Sequence, residues 1–414
     1  MDTTGAAANQ RPARIAAFAF LALGGFWGIW AVGIANIKRD VSLSSTSLGF
    51  LLAVTQTIGV LVAARFLHAT RRQPPARVLA TVLVAWGAAL LLLGLPLAGL
   101  AFSAAFFATG GLSAPVDSSM NAVATIQYEG NPGGLLSFHG LYSAGCVVAA
   151  IVTGVTLGAG VSWRWLYLVL AILVGATSIV ALSRHDQPWS VLRPGALPVA
   201  PPSPAGDYVD PSDHRPATAP LAMLRAEHQL VPMAVFAAAE LASGGIATWG
   251  VLYLRDSLGG AVGLAATSFG LASLVSGLAR GLGGRAMGRR APLAGVALGA
   301  GLGVAGLLVE SLTTNAVVAA VGLCVGAIGL SVIWPLMMSE VTSRSSSPAT
   351  TVGAFTAAGY VGWVGGAPII GAIFQHLGGD VGLWVLAGGA GVACAYATGT
   401  SLRRSRDEAG GIVG

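Results

Sequence analysis

Charge is scarce in this chain: 9% of its 414 residues are Asp, Glu, Lys or Arg, whereas 55% are hydrophobic. A water-soluble domain of that length needs far more charge on its surface, so the shortage excludes one. Cysteine is nearly missing as well. Cys146, Cys324 and Cys394 all fall inside apolar runs, with no paired spacing for a metal and no loop position for a disulfide. No GxxxxGK[ST] phosphate loop occurs, which excludes an ATP-driven pump on this chain alone. Serines and histidines exist, but nothing sets a nucleophile beside a base and an acid, so no enzyme and no metal site are expected.

What the chain has instead is apolar runs of about twenty residues, each enough for a helix across a hydrocarbon core about 30 Å thick. Backbone groups inside such a core must pair within the segment or in a closed barrel, and these runs are too long and too uniform for alternating barrel strands. Twelve spans follow: Arg14–Ile37, Ser44–His68, Arg77–Leu97, Ala98–Ala122, Gly134–Gly158, Trp163–Ser183, Val231–Leu254, Leu264–Gly284, Pro292–Leu312, Asn315–Met338, Thr350–Leu377 and Val381–Leu402. The third and fourth come from one long run, divided where Gly94, Pro96 and Gly99 supply turn chemistry. The fourth has two possible ends, Ala122 or Gln127. The first run is too long for a signal-peptide core and is expected to be retained.

Eighteen of the Lys and Arg residues fall on the side of the N-terminus and four, Lys38, Arg39, Arg164 and Arg255, on the other. That bias predicts both termini in the cytoplasm of a cell with this chain in its cytoplasmic membrane. The net charge of +6 is a product of topology, and no nucleic-acid partner is expected.

Composition also divides the chain. Residues 1–13 and 403–414 read as cytoplasmic tails, 14–183 and 230–402 as six-helix bundles, and 184–229 as a cytoplasmic linker. Pro201, Pro202, Pro204, Pro211, Pro216 and Pro220 crowd that linker, which cannot bury enough apolar surface to fold. The halves echo each other: Gly111-Leu112-Ser113 recurs as Gly329-Leu330-Ser331, Ser143-Ala144-Gly145 resembles Ala357-Ala358-Gly359, and Arg71-Arg72 is answered by Arg289-Arg290. All three pairs fit a six-helix duplication. The fold class expected is therefore all-α, twelve transmembrane helices in two pseudo-symmetric bundles, with a solute site where the halves meet.

Candidate chemistry lies on a few polar groups inside the spans. Ser113, Asp117 and Asn121 recur every fourth residue and share a helical face. A carboxylate at membrane depth costs about 2.5–3.5 kcal/mol on insertion scales, so it faces a wet cavity or braces the inner loop. His139, Tyr142, Ser143 and Cys146 form another face, and His139 is either a proton carrier paired with Asp117 or an interhelical hydrogen-bond partner. Glu240, with Ser243 one turn on, either contacts solute or pairs with an arginine such as Arg280. Trp27 and Trp30 sit too deep for an interfacial belt and offer rings for stacking. Trp249 and Tyr253 suit either a solute contact or a belt. Glu310 and Glu340 fall near span ends and are passed over.

Some of these motifs resemble a known family. Gly281 and Gly288-Arg289-Arg290 fit the glycine-and-basic gating loop of the major facilitator superfamily, with Arg285 where that motif carries an acid. Asp117-Ser118-Ser119-Met120-Asn121, Glu129, the run Ser137 to Gly145, and Trp249 to Asp256 are similar to its fucose-permease-like branch. In that branch an acid of the fourth helix is associated with proton coupling to sugar uptake, and Asp117 occupies its place. The branch's acids in the first helix and before the seventh-helix tryptophan are missing here, so its sugar contacts do not transfer. The resemblance implies a secondary transporter for a small polar, sugar-like solute, driven by protons without any other cofactor. It implies a monomer working by alternating access in the lipid bilayer. The alternative is a proton-driven efflux antiporter for amphipathic compounds, disfavoured because the fifth span lacks the proline of the antiporter Gly-Pro motif.

Overall fold

The computed structural model describes residues 11–70, 73–127, 132–183, 219–286 and 292–410. These residues are helical almost throughout, no strand occurs among them, and twelve helices are long and apolar enough to cross a membrane. In chain order they are α1 (Arg11–Asp40), α2 (Ser45–Thr70), α3 (Pro75–Leu93), α4 (Gly99–Gln127), α5 (Pro132–Gly158) and α6 (Arg164–Ser183). A short α7 (Ala219–Ala226) precedes α8 (Leu230–Gly245), which continues through π-helical turns at Ile246–Gly250 and Tyr253–Ser257. Then come α9 (Val262–Ala286), α10 (Pro292–Leu312), α11 (Ala316–Ser331), α12 (Ile333–Thr342), α13 (Pro348–His376) and α14 (Gly379–Gly410).

Local chemistry sets many of these ends. Pro75 starts α3, where its missing N–H costs nothing, and Gly94 closes it. Gly99 then opens α4 at φ +55°, a backbone that glycine adopts without strain. The Asn315 side chain caps α11 by accepting from the N–H groups of Val317 and Val318, at 2.9 and 3.3 Å.

Three departures from the sequence reading have physical causes. The tenth span divides into α11 and α12 at Val332 because Pro335 cannot donate to the Ser331 carbonyl and its ring crowds that group. The expected structureless linker ends in helix α7, whose Leu224 is buried. The twelfth helix runs through the expected tail at 403–410, with Arg404 held by Glu340 at 2.9 Å.

Contacts divide the chain into two compact units, Met1–Leu197 with Val251–Gly277, and Pro198–Gly250 with Leu278–Gly414. The same pairing pattern recurs in each. In the first, α1 packs on α5 and α3 on α4 and α6; in the second, α8 packs on α13 and α10 on α11 and α14. First-with-fifth and third-with-sixth thus repeat as seventh-with-eleventh and ninth-with-twelfth.

The α1–α5 crossing is close enough to touch backbone to backbone. A Cβ at Gly24 would collide with the Tyr142 carbonyl, one at Gly145 with the Leu21 carbonyl, and one at Gly28 would sit 2.6 Å from the Cys146 carbonyl. Small residues spaced by four are how membrane helices gain dispersion contact without a hydrophobic driving force. We expect Gly24→Ala to cost about 1–3 kcal/mol through overpacking and to lower the melting temperature in detergent. A melting temperature equal to that of the unaltered protein contradicts this.

Candidate functional site

Within the first unit, α4 supplies the carboxylate. It runs without a break to Gln127, the longer of its two possible ends, so Asp117 stands more than two turns before its C-terminus. Pro115 lies inside the helix and deprives the Gly111 carbonyl of its usual donor. Neighbouring side chains bond this stretch: Trp86 Nε1 donates to the Thr109 carbonyl at 3.1 Å and Ser113 Oγ to that of Gly110 at 2.7 Å. Beyond it, Asn121 Nδ2 donates to Asp117 Oδ1 at 3.1 Å and to the Asp117 carbonyl at 2.9 Å. The amide thereby fixes the carboxylate, which remains exposed, whereas Ser113 is buried. Such a group can accept and release a proton.

The other first-half candidates separate from it. His139 sets its ring edge-on to Phe20, centroids 5.5 Å apart, and Asp117 has Asn121 as its recorded partner. Tyr142 is half-buried, its carbonyl wedged against Gly24. Trp27 is half-buried, its ring 5.1 Å from that of Phe26. Trp30 needs correction: it is 1% exposed, packed 4.4 Å from Phe106, and leaves no ring face on which a solute could stack. Phe26, Trp86, Phe102, Trp163 and Tyr167 continue that packing. Depth placed Trp30 away from lipid headgroups, but an aromatic core satisfies the same requirement.

At the C-terminal end of α1 the first unit gathers its charges. Lys38 Nζ meets Asp256 Oδ2 at 2.8 Å. The guanidinium of Arg255 donates to Asn36 Oδ1 at 3.3 Å and to the Gly260 carbonyl at 2.8 Å. Asp40 accepts from Trp163 Nε1 at 2.8 Å and pairs with Arg164 at 3.4 Å, and Arg164 also lies 4.4 Å over the Trp163 ring. The bonds of Lys38 and Asn36 tie α1 to the connection between α8 and α9, and those of Asp40 tie its end to the start of α6. Sequence reading treated these three cations only as topology markers.

In the second unit, Glu240 is buried at 7% exposure, one of its oxygens lacks a hydrogen-bond partner, and it enters none of the ion pairs recorded among the described residues. The pairing with Arg280 is not formed. Trp249, like Trp30, is 1% exposed and packs on Phe374, centroids 4.9 Å apart, with no free ring face. Glu310 is 0% exposed and unpartnered, although its place two residues from the end of α10 hid it from sequence reading. Gly281 lies in α9; Gly288, Arg289 and Arg290 of the loop motif, and Glu129, lie outside the described residues.

At the end of α12, Glu340 pairs with Arg344 at 2.8 Å and with Arg404. Glu227, before α8, accepts from the hydroxyl and backbone N–H of Ser346 and from the Ser345 hydroxyl, and these bonds hold its carboxyl below the usual range. The segment entering α8 is thus tied to the α12–α13 connection.

Twelve membrane helices with repeated packing, and polar groups inside the spans, define a transporter of the two-repeat class. The chain belongs to the Major Facilitator Superfamily, whose family model matches residues 15–367. It is a transporter and not an enzyme. No curated protein matches the sequence. Solved structures share the fold at low identity. The nucleoside transporter NupG superposes with a TM-score of 0.69 at 13% identity, covering 94% of this chain and 98% of that one. A bacterial homologue of the human lysosomal transporter Spinster gives 0.64 at 16%, covering 95% and 96%. The human organic anion transporter MFSD10 gives 0.60 at 15%, covering 92% and 98%.

Proposed function

We propose that this chain is a proton-coupled secondary transporter that moves a small polar solute across the cytoplasmic membrane by alternating access, with both termini in the cytoplasm. The single observation behind the coupling is Asp117: an exposed carboxylate inside a membrane-spanning helix, oriented by Asn121 one turn on. Intramembrane acids are costly and are kept where they do work. The likeness of α4 and α5 to the fucose-permease-like branch favours a sugar-like solute, and the distribution of arginine supports the orientation. In that orientation the charge cluster at the end of α1 lies on the outer side.

Purified protein in proteoliposomes loaded with a pH indicator provides the test. Addition of a polar panel, sugars foremost, is expected to acidify the lumen with one class of solute. If only amphipathic cations and drug-like compounds move protons, and in the opposite sense, the chain is an efflux antiporter and this reading fails.

A further inference from the structure

Glu310 has no role in that reading, and its surroundings are unusual. It lies in α10 with 0% exposure, and neither carboxylate oxygen has a hydrogen-bond partner. Its neighbours come from within the second unit. A Cβ at Gly250 would stand 2.9 Å from Oε1 and 3.2 Å from Oε2 and would strike Leu323, so the carboxyl presses on bare backbone where the π turn Ile246–Gly250 ends. On the other side α11 approaches through Gly322, whose added Cβ would fall 2.7 Å from the Glu310 nitrogen. Ile246, at the start of the same turn, rests on Gly326 of α11. Ser311 is engaged elsewhere, donating to Leu308 and accepting from Trp384.

Among the described residues no charged group pairs with this carboxyl. The elements packed on α10 carry Cys324 on α11, Glu340 on α12, and Asp380, Cys394, Tyr396, Arg403, Arg404, Arg406, Asp407 and Glu408 on α14, with Cys394 Sγ donating to the Ala297 carbonyl, and α8 adds Glu240. Among the described side chains none of these is a recorded partner of Glu310, and Glu340 already holds Arg404. An ionised, unpaired carboxylate sealed among glycine and leucine costs several kcal/mol. As the neutral acid, the same side chain carries one O–H donor. A π turn widens the helix and frees carbonyl acceptors, and such turns concentrate at functional positions.

We propose that Glu310 is a proton-binding site, sealed by the π turn Ile246–Gly250, that takes up and releases its proton when that turn opens. The proposal rests on the transporter reading only in making that opening a step of the cycle. Its tests need no solute, so it stands or falls separately from the assignment of Asp117.

Infrared spectra of the protein in lipid nanodiscs near neutral pH are expected to contain a protonated-carboxyl C=O band that Glu310→Gln removes and Asp117→Asn leaves in place. Relative to the intrinsic base-catalysed rise of amide exchange with pH, protection across residues 246–257 is expected to fall several-fold between about pH 6 and about pH 9 in the unaltered protein, and to stay constant in Glu310→Gln, which is permanently neutral. Glu310→Asp keeps a titratable acid and should keep both responses, which guards against a folding defect of the glutamine variant. The proposal is overturned by a carboxyl band unchanged in Glu310→Gln, or by a pH-dependent loss of protection that persists there. It is equally overturned if replacing potassium with sodium at fixed pH abolishes the band, since the site then binds a metal cation.

Discussion

Asp117→Asn is expected to abolish proton-driven accumulation of solute while leaving solute exchange across the membrane largely intact. The substitution is nearly isosteric, and its amide oxygen can still accept the bond that Asn121 Nδ2 now gives Oδ1 at 3.1 Å. The helix face therefore survives, and only the titratable proton is lost. One pH unit across the membrane supplies about 1.4 kcal/mol per proton, equal to about tenfold accumulation at one proton per solute. The variant should give none above equilibrium. Asp117→Ala is the poorer test because it also removes the acceptor for Asn121. Accumulation that persists in Asp117→Asn would place coupling on another acid, with Glu240 and Glu310 as the buried alternatives in the second unit that enter no recorded ion pair.

Periodic and compositional features were legible in the sequence. Runs of twenty apolar residues can only be helices in lipid, so the twelve spans stood out, and the ninth, Pro292–Leu312, has the same ends in both readings. Asp117 and Asn121 were legible because i, i+4 neighbours on a helix meet whatever the tertiary fold. Pairing Asp117 with His139 required knowledge of how α4 lies against α5, which no single-chain pattern carries; the structure sets His139 on Phe20 instead. Trp30 and Trp249 misled for a related reason. Depth alone does not separate a ring facing a cavity from one in an aromatic core. Glu310 was discounted because a helix end usually means water, whereas here Gly250 and Gly322 let backbone close over it. The π turns leave no propensity signal, being set by packing rather than by residue preference.

Arg255→Ala should give the second large effect, on the cluster at the end of α1. If the first unit loosens at this end, α1 has to part from the connection between α8 and α9; Arg255 reaches from that connection to Asn36 of α1, and its second bond holds Gly260 within the connection. Lys38 and Asp256 form the neighbouring bridge, yet both are partly exposed, at 19% and 33%, and a pair of that kind contributes about 0.2–1 kcal/mol. Arg255 matters more. It is partly buried, and hydrogen bonds to a charged group contribute about 1.5–3 kcal/mol. Its loss should favour the opened form by about tenfold, since about 1.4 kcal/mol is a factor of ten. Ile37, 1% exposed in this structure, offers the reporter. In a background without Cys146, Cys324 and Cys394, a cysteine at Ile37 should react with a membrane-impermeant maleimide about tenfold faster once Arg255 is alanine. Lys38→Ala should change that rate much less. Equal labelling with and without the guanidinium would mean that the cluster braces a static end of the bundle and takes no part in opening.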